Sequence, residues 1–128
     1  MKENFHPQEM PEIKAKLLHI FKQAFGGFPE IDGAVFGGSY AQGKFHAGED
    51  IDFDLLINGG LEERRKKLII TSIQRLFTVN GLTPEIRAFI DVHQIRRENP
   101  DQDYYDLHPK SPFIVRNEDI ALLCGLER

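Results

Sequence analysis

The sequence predicts an α+β (α/β-like) domain in which a small mixed β-sheet is flanked by helices. Apolar residues recur at helical spacing over residues 11–25 and again over 61–79. Apolar and polar residues alternate over 50–57 and 85–95, the period of a half-buried strand, and the short, partly β-branched run 31–36 also reads as a strand. The two patterns take turns along the chain, so helices are expected to pack directly on the sheet.

With 128 residues, 41% apolar and ten of them Phe, the chain can build one core. We expect a flexible N-terminal segment over 1–10 and a single domain over 11–128. The net charge of −4 argues against a general nucleic-acid binder, although the basic run Arg64-Arg65-Lys66-Lys67 keeps nucleic acid open as a partner. Cys124 is the single cysteine, which excludes a disulfide within the chain and a cysteine zinc site. No apolar segment follows Met1-Lys2-Glu3, and no apolar run reaches the ~18 residues of a membrane span. The expectation is a cytoplasmic protein with no membrane partner.

Pro11-Glu12 opens the first helix, with Pro in the first turn and an acid near the positive end of the dipole. Ile13, Leu17, Ile20, Phe21, Ala24 and Phe25 form its apolar face, and Gly26-Gly27 end it. Ile31 to Phe36 reads as a strand. Gly37-Gly38 break it, and Ser39 caps a short helix through Tyr40, Ala41 and Gln42 that Gly43 closes. Such a turn presents free N–H donors to an anion. After a polar loop, Asp50 to Ile57 forms the second strand, ended by Asn58-Gly59-Gly60. Asp50, Asp52 and Asp54 share one face of it, and Ile51, Phe53 and Leu55 the other.

Leu61 to Val79 reads as the longest helix, burying Leu61, Leu68, Ile69, Ile73, Leu76 and Phe77, with Asn80-Gly81 as its cap. Its basic run is read as a solvated face. Glu85 to Ile95 is expected as a third strand, with Ile86, Ala88, Ile90 and Val92 on one face and Arg87, Phe89, Asp91 and His93 on the other. A charge at Asp91, between Ile90 and Val92, is costly unless it is paired or binds metal. Residues 96–112 read as a polar loop. Phe113-Ile114-Val115 and Ile120-Ala121-Leu122-Leu123 are short apolar runs that suggest a packing turn and a last strand or helix.

Carboxylates on one strand face repel one another unless cations lie between them. Two acids at i and i+2, with a third from a neighbouring strand, suit a two-metal site, and Mg²⁺ prefers carboxylate and phosphate oxygens. Beside a glycine turn, this chemistry reads as phosphoryl or nucleotidyl transfer. Asp52-Phe53-Asp54 is a rival metal pair, and Asp54 could take the place of Asp50.

Gly38-Ser39-Tyr40-Ala41-Gln42-Gly43 followed by Asp50-Ile51-Asp52 resembles the signature of the DNA polymerase beta-like nucleotidyltransferase superfamily, and most closely its small, minimal nucleotidyltransferase (MNT-like) members. Ile90-Asp91-Val92 resembles that family's third carboxylate strand, and residues 117–125 its closing segment. The resemblance implies a nucleotidyltransferase fold and a nucleoside triphosphate substrate, ATP before other nucleotides. It implies nucleotide binding by Gly37, Gly38, Ser39 and Lys44, two Mg²⁺ ions, and catalytic, metal-binding carboxylates at Asp50, Asp52 and Asp91. It further implies transfer of AMP to a hydroxyl of a partner, a helical HEPN-type protein as in toxin–antitoxin pairs, or assembly as a homo-oligomer. Two departures stand out: Tyr40 and Gln42 replace the usual basic residues of the small helix, and Asp54 adds an acid. They leave open a catalytically inactive module that binds a partner protein, and the family also admits a small-molecule, antibiotic-type nucleotidyltransferase.

Other motifs fall short. Residues 38–44 approach a P-loop, but Phe45 stands where Mg²⁺ needs Ser or Thr, and the dinucleotide-binding glycine pattern is incomplete. The five histidines have no metal spacing; His93 could approach the acids, but reads more simply as a strand residue. Tyr104-Tyr105 reads as a loop anchor.

Overall fold

Helix α1, Met10–Gly27, lays Leu17, Ile20 and Phe21 fully buried against one face of a sheet in a computed structural model that describes residues 10–41, 48–98, 100–101 and 113–115. Lys44, the run Ile120–Leu123 and, apart from Met10, the expected flexible segment lie outside the described residues. Strand β1, Ile31–Phe36, leads through Gly37 into a single helical turn, α2, Gly38–Ala41. Strand β2, Ile51–Ile57, follows, then helix α3, Glu63–Val79. Strand β3, Pro84–Asp91, helix α4, Val92–Glu98, and strand β4, Phe113–Val115, complete the described elements.

The sheet is mixed, in the order β3-β2-β1-β4. β2 runs antiparallel to β1 and parallel to β3, which it reaches through the α3 crossover. β4 pairs antiparallel with β1, Ala34 opposite Ile114, so the 113–115 run is a strand.

Alternation explains β2. Ile51, Phe53 and Leu55 are fully buried on the helix side, and Asp52 and Asp54 between them are half-buried on the other. An aromatic cluster fixes the buried side. Phe21 of α1 meets Phe53 edge-on at 5.4 Å, and Phe53 stacks on Phe77 of α3 at 5.4 Å. Burial of each such ring contributes roughly 1.5–3 kcal/mol, and aromatic geometry adds to it. The strand that carries the acids is thereby anchored by the residue between them.

α3 ends in a Schellman motif. Leu82 N–H donates to Phe77 O at 2.9 Å and Gly81 N–H to Thr78 O at 3.0 Å, with Gly81 at φ +74°. The buried stripe of α3 is narrower than its sequence suggests. Ile69, Ile73 and Phe77 are fully buried, whereas Leu68 is 50% exposed, one residue off that stripe. The basic run is partly engaged: Arg65 pairs with Glu30 and lies over the Phe28 ring at 5.0 Å, while Lys66 reaches Glu63 at 3.4 Å.

β3 departs from the expected strand in two ways. It stops at Asp91, and Val92 onward is helical. Asp91 Oδ1 accepts the His93 N–H at 2.9 Å, the bond of a helix N-cap. Second, the ladder with β2 slips by one residue: Phe53 stands opposite Ile86, but Asp54 opposite Ala88. Arg87 is the extra residue of this bulge. The slip lets Ile86 and Phe89 both pack against the core and breaks the simple alternation expected over 85–95.

Candidate active site at the glycine turn

The turn after β1 exists because two glycines tolerate a very close approach. Gly37 N–H donates to Asp52 O at 2.9 Å and so extends the β1–β2 ladder by one bond. Gly38 has φ +61°, and a Cβ there would stand 2.6 Å from Asp52 Oδ2. A Cβ at Gly37 would stand 2.6–2.8 Å from the guanidinium of Arg87. A side chain at 38 would displace the Asp52 carboxylate and one at 37 would have to push the Arg87 guanidinium aside, so the backbone of the turn lies close against both. Ser39 follows, and its hydroxyl donates to Glu49 Oε2 at 2.6 Å. Tyr40 is buried behind the turn, with its ring 5.1 Å from Phe36, and burial raises its hydroxyl pKa far above the usual range.

Asp50 is exposed immediately before β2, and Asp52 is its second residue. The acid brought to them by the fold is Glu85, the second residue of β3, directly opposite Asp52. A hydrogen bond with Asp52, then the charge of Asp52, burial and the charge of Asp50 raise the Glu85 carboxyl above its ordinary range, and Arg87 opposes the rise. Glu85 therefore stands within reach of the charges of both Asp52 and Asp50.

Asp91 does not join them. It pairs with Ile57, at the far end of β2, about 16 Å along the strand from Asp52 at the usual rise per residue. His93 lies at that end too, hydrogen-bonded to Asn58, and does not reach the acids. Asp54 meets Arg87, with Nη2 donating to Oδ2 at 3.3 Å. Sequence reasoning took Asp91 as the third acid from the resemblance of Ile90-Asp91-Val92 and from the cost of a charge between two apolar residues, and passed over Glu85 at the start of the same strand. A usable signal was present: strands joined by a parallel crossover start at the same end of the sheet, so an acid next to the start of β3 faces one next to the start of β2.

Among the described residues, no three acidic, histidine or cysteine side chains stand close enough to cage a metal as they are placed. The donor set nevertheless suits a hard cation. Its members are carboxylates on adjacent strand starts, and a cation there would relieve the repulsion that raises the Glu85 carboxyl.

A helix-flanked mixed sheet with paired strand acids against a glycine turn defines a domain of the nucleotidyl-transfer class. The family model of the nucleotidyltransferase domain matches residues 14–124, and the chain belongs to that family. A solved structure from Sulfolobus solfataricus, described as a candidate nucleotidyltransferase, is similar with a TM-score of 0.52 over 70% of this chain and 77% of that one. Its identity of 14% makes this a likeness of fold. No curated protein matches the sequence. Among the described residues, no helix is long and apolar enough to cross a membrane.

Proposed function

We propose that the protein transfers a nucleoside monophosphate from a nucleoside triphosphate, ATP first among them, to a hydroxyl acceptor in a Mg²⁺-dependent reaction. The observation that carries this reading is the meeting of Asp52 and Glu85 beside Gly38. In it, Gly37, Gly38 and Ser39 receive the outer phosphates, with Lys44 as the basic residue nearest in sequence. Asp50, Asp52 and Glu85 would hold the metal, which when bound supplies charge neutralisation at the phosphate oxygens. Glu85, the third carboxylate at the strand starts, would take the proton of the acceptor hydroxyl as general base. In the reaction the acceptor oxygen bonds to the α-phosphorus, the α–β bridging bond breaks, and pyrophosphate leaves.

The resemblance to minimal nucleotidyltransferases supports a protein acceptor, with AMP passed to a helical HEPN-type partner. Calorimetric titration of Mg·ATP and Mg·GTP into the wild type and into Asp50→Asn/Asp52→Asn tests the core of the proposal. Metal-dependent binding by the wild type alone is the expected result. Absence of binding by the wild type rejects it. Tyr40 and Gln42, standing where the small helix usually carries basic residues, favour as a second reading a partner-binding module without turnover. That module would hold its partner equally well with and without the Asp50 and Asp52 carboxylates.

A further inference from the structure

The small helix after the glycine turn lacks basic residues, yet the turn is not without a cation. Arg87 stands on β3, the edge strand of the sheet, and its side chain crosses β2 to lie against Gly37 at the end of β1. The one-residue slip of the β2–β3 ladder accommodates it as the extra residue. The guanidinium is so close to the turn that its Cζ and both terminal nitrogens would lie within 2.8 Å of a Cβ at position 37.

We infer that Arg87 is a phosphate-gripping residue of this site, directed at the pyrophosphate portion of the incoming triphosphate; the inference rests on the nucleotidyl-transfer reading. A guanidinium offers five N–H donors in a planar fork. The ion pair with Asp54 is a single contact at 3.3 Å, and 43% of the Arg87 side chain is exposed. The remaining donors are available to a ligand on the same face as Gly37. That ligand must be anionic and must tolerate four nearby carboxylates, Asp50, Asp52, Asp54 and Glu85. A metal-bound polyphosphate meets both conditions, since the cation answers the acids and the arginine answers the phosphate oxygens. Asp54 then has a defined part: it holds Arg87 over the turn while the site is empty and competes with phosphate for it.

The test is calorimetric titration of Mg·ATP and of Mg·pyrophosphate into the wild type, Arg87→Met, Arg87→Met/Asp54→Asn and Asp54→Asn, with thermal unfolding as the control for folding. Loss of one charged fork weakens both ligands about ten- to a hundredfold in Arg87→Met, with or without Asp54. Asp54→Asn, which removes the competitor, binds pyrophosphate more tightly than the wild type. Should Arg87→Met not fold, Asp54→Asn decides: tighter binding supports the inference, and unchanged or weaker binding overturns it. Wild-type affinity in Arg87→Met/Asp54→Asn also overturns it and leaves Arg87 as the counter-ion of Asp54. If the wild type binds neither ligand, the nucleotidyl-transfer reading fails and this inference fails with it.

Discussion

Glu85 stands opposite Asp52 across the parallel pairing of β3 with β2, and the two carboxyls are joined by a hydrogen bond. That bond and the charge of Asp52 make Glu85 hold its proton to higher pH than an isolated glutamate does.

The pH dependence of stability follows. The folded-state pKa of Glu85 is raised, so its contribution is fully present below the unfolded value and is lost as pH rises through the folded one. Without metal, the melting temperature should therefore fall as pH climbs above the ordinary glutamate range, within a scan from about pH 4 to 8. Glu85→Gln should flatten this part of the profile. Added Mg²⁺ should raise the melting temperature most at the alkaline end. A profile identical in the wild type and Glu85→Gln would refute the coupling.

Asp91 and Glu85 should separate cleanly. Asp91→Ala removes the cap of α4 and should cost about 1 kcal/mol of stability. It should leave Mg·ATP binding unchanged. Glu85→Gln should reduce transfer by at least about a hundredfold, the usual scale for a catalytic acid–base group. Chemical denaturation paired with a transfer assay reads both. A larger loss of transfer in Asp91→Ala than in Glu85→Gln would restore Asp91 to the site.

The glycines offer a matched pair. Gly38 and Gly81 both have positive φ, at +61° and +74°. Alanine at either should cost about 1–2 kcal/mol from the backbone alone. Only Gly38→Ala should also lose nucleotide binding, because its Cβ drives Asp52 from its position. Equal nucleotide affinity in both variants would count against a role for the turn.

Phe53→Ala should be the most damaging of these changes, costing about 3–5 kcal/mol. The ring stacks on Phe77 and meets Phe21 edge-on, and it lies between Asp52 and Asp54 in the strand. Urea denaturation would measure the loss. A change below about 1 kcal/mol would mean the cluster repacks.

Local features were legible in the sequence. The stripe of α1, the alternation of β2 and the glycine turn depend on neighbours along the chain, and the structure has them as expected. What required the fold was non-local. Which residue of β3 meets Asp52 depends on the register of two strands far apart in sequence, and that register sets Glu85 there and Asp91 opposite Ile57. The end of β3 depends on where β2 stops and on a side-chain cap at Asp91. Leu68 suits a buried helix face by composition, but the angular width of that face is set by what packs on it.

The two glycines of the turn are bound to different neighbours, and this sets how the sequence can drift. Position 38 is fixed twice, by its backbone angle and by Asp52. Position 37 has no such angle, and what a side chain there would meet is the flexible end of Arg87 on another strand. Position 38 is therefore closed to side chains, while position 37 admits one only if the guanidinium swings away. Drift at 37 thus draws residue 87 with it, however far apart the two codons lie.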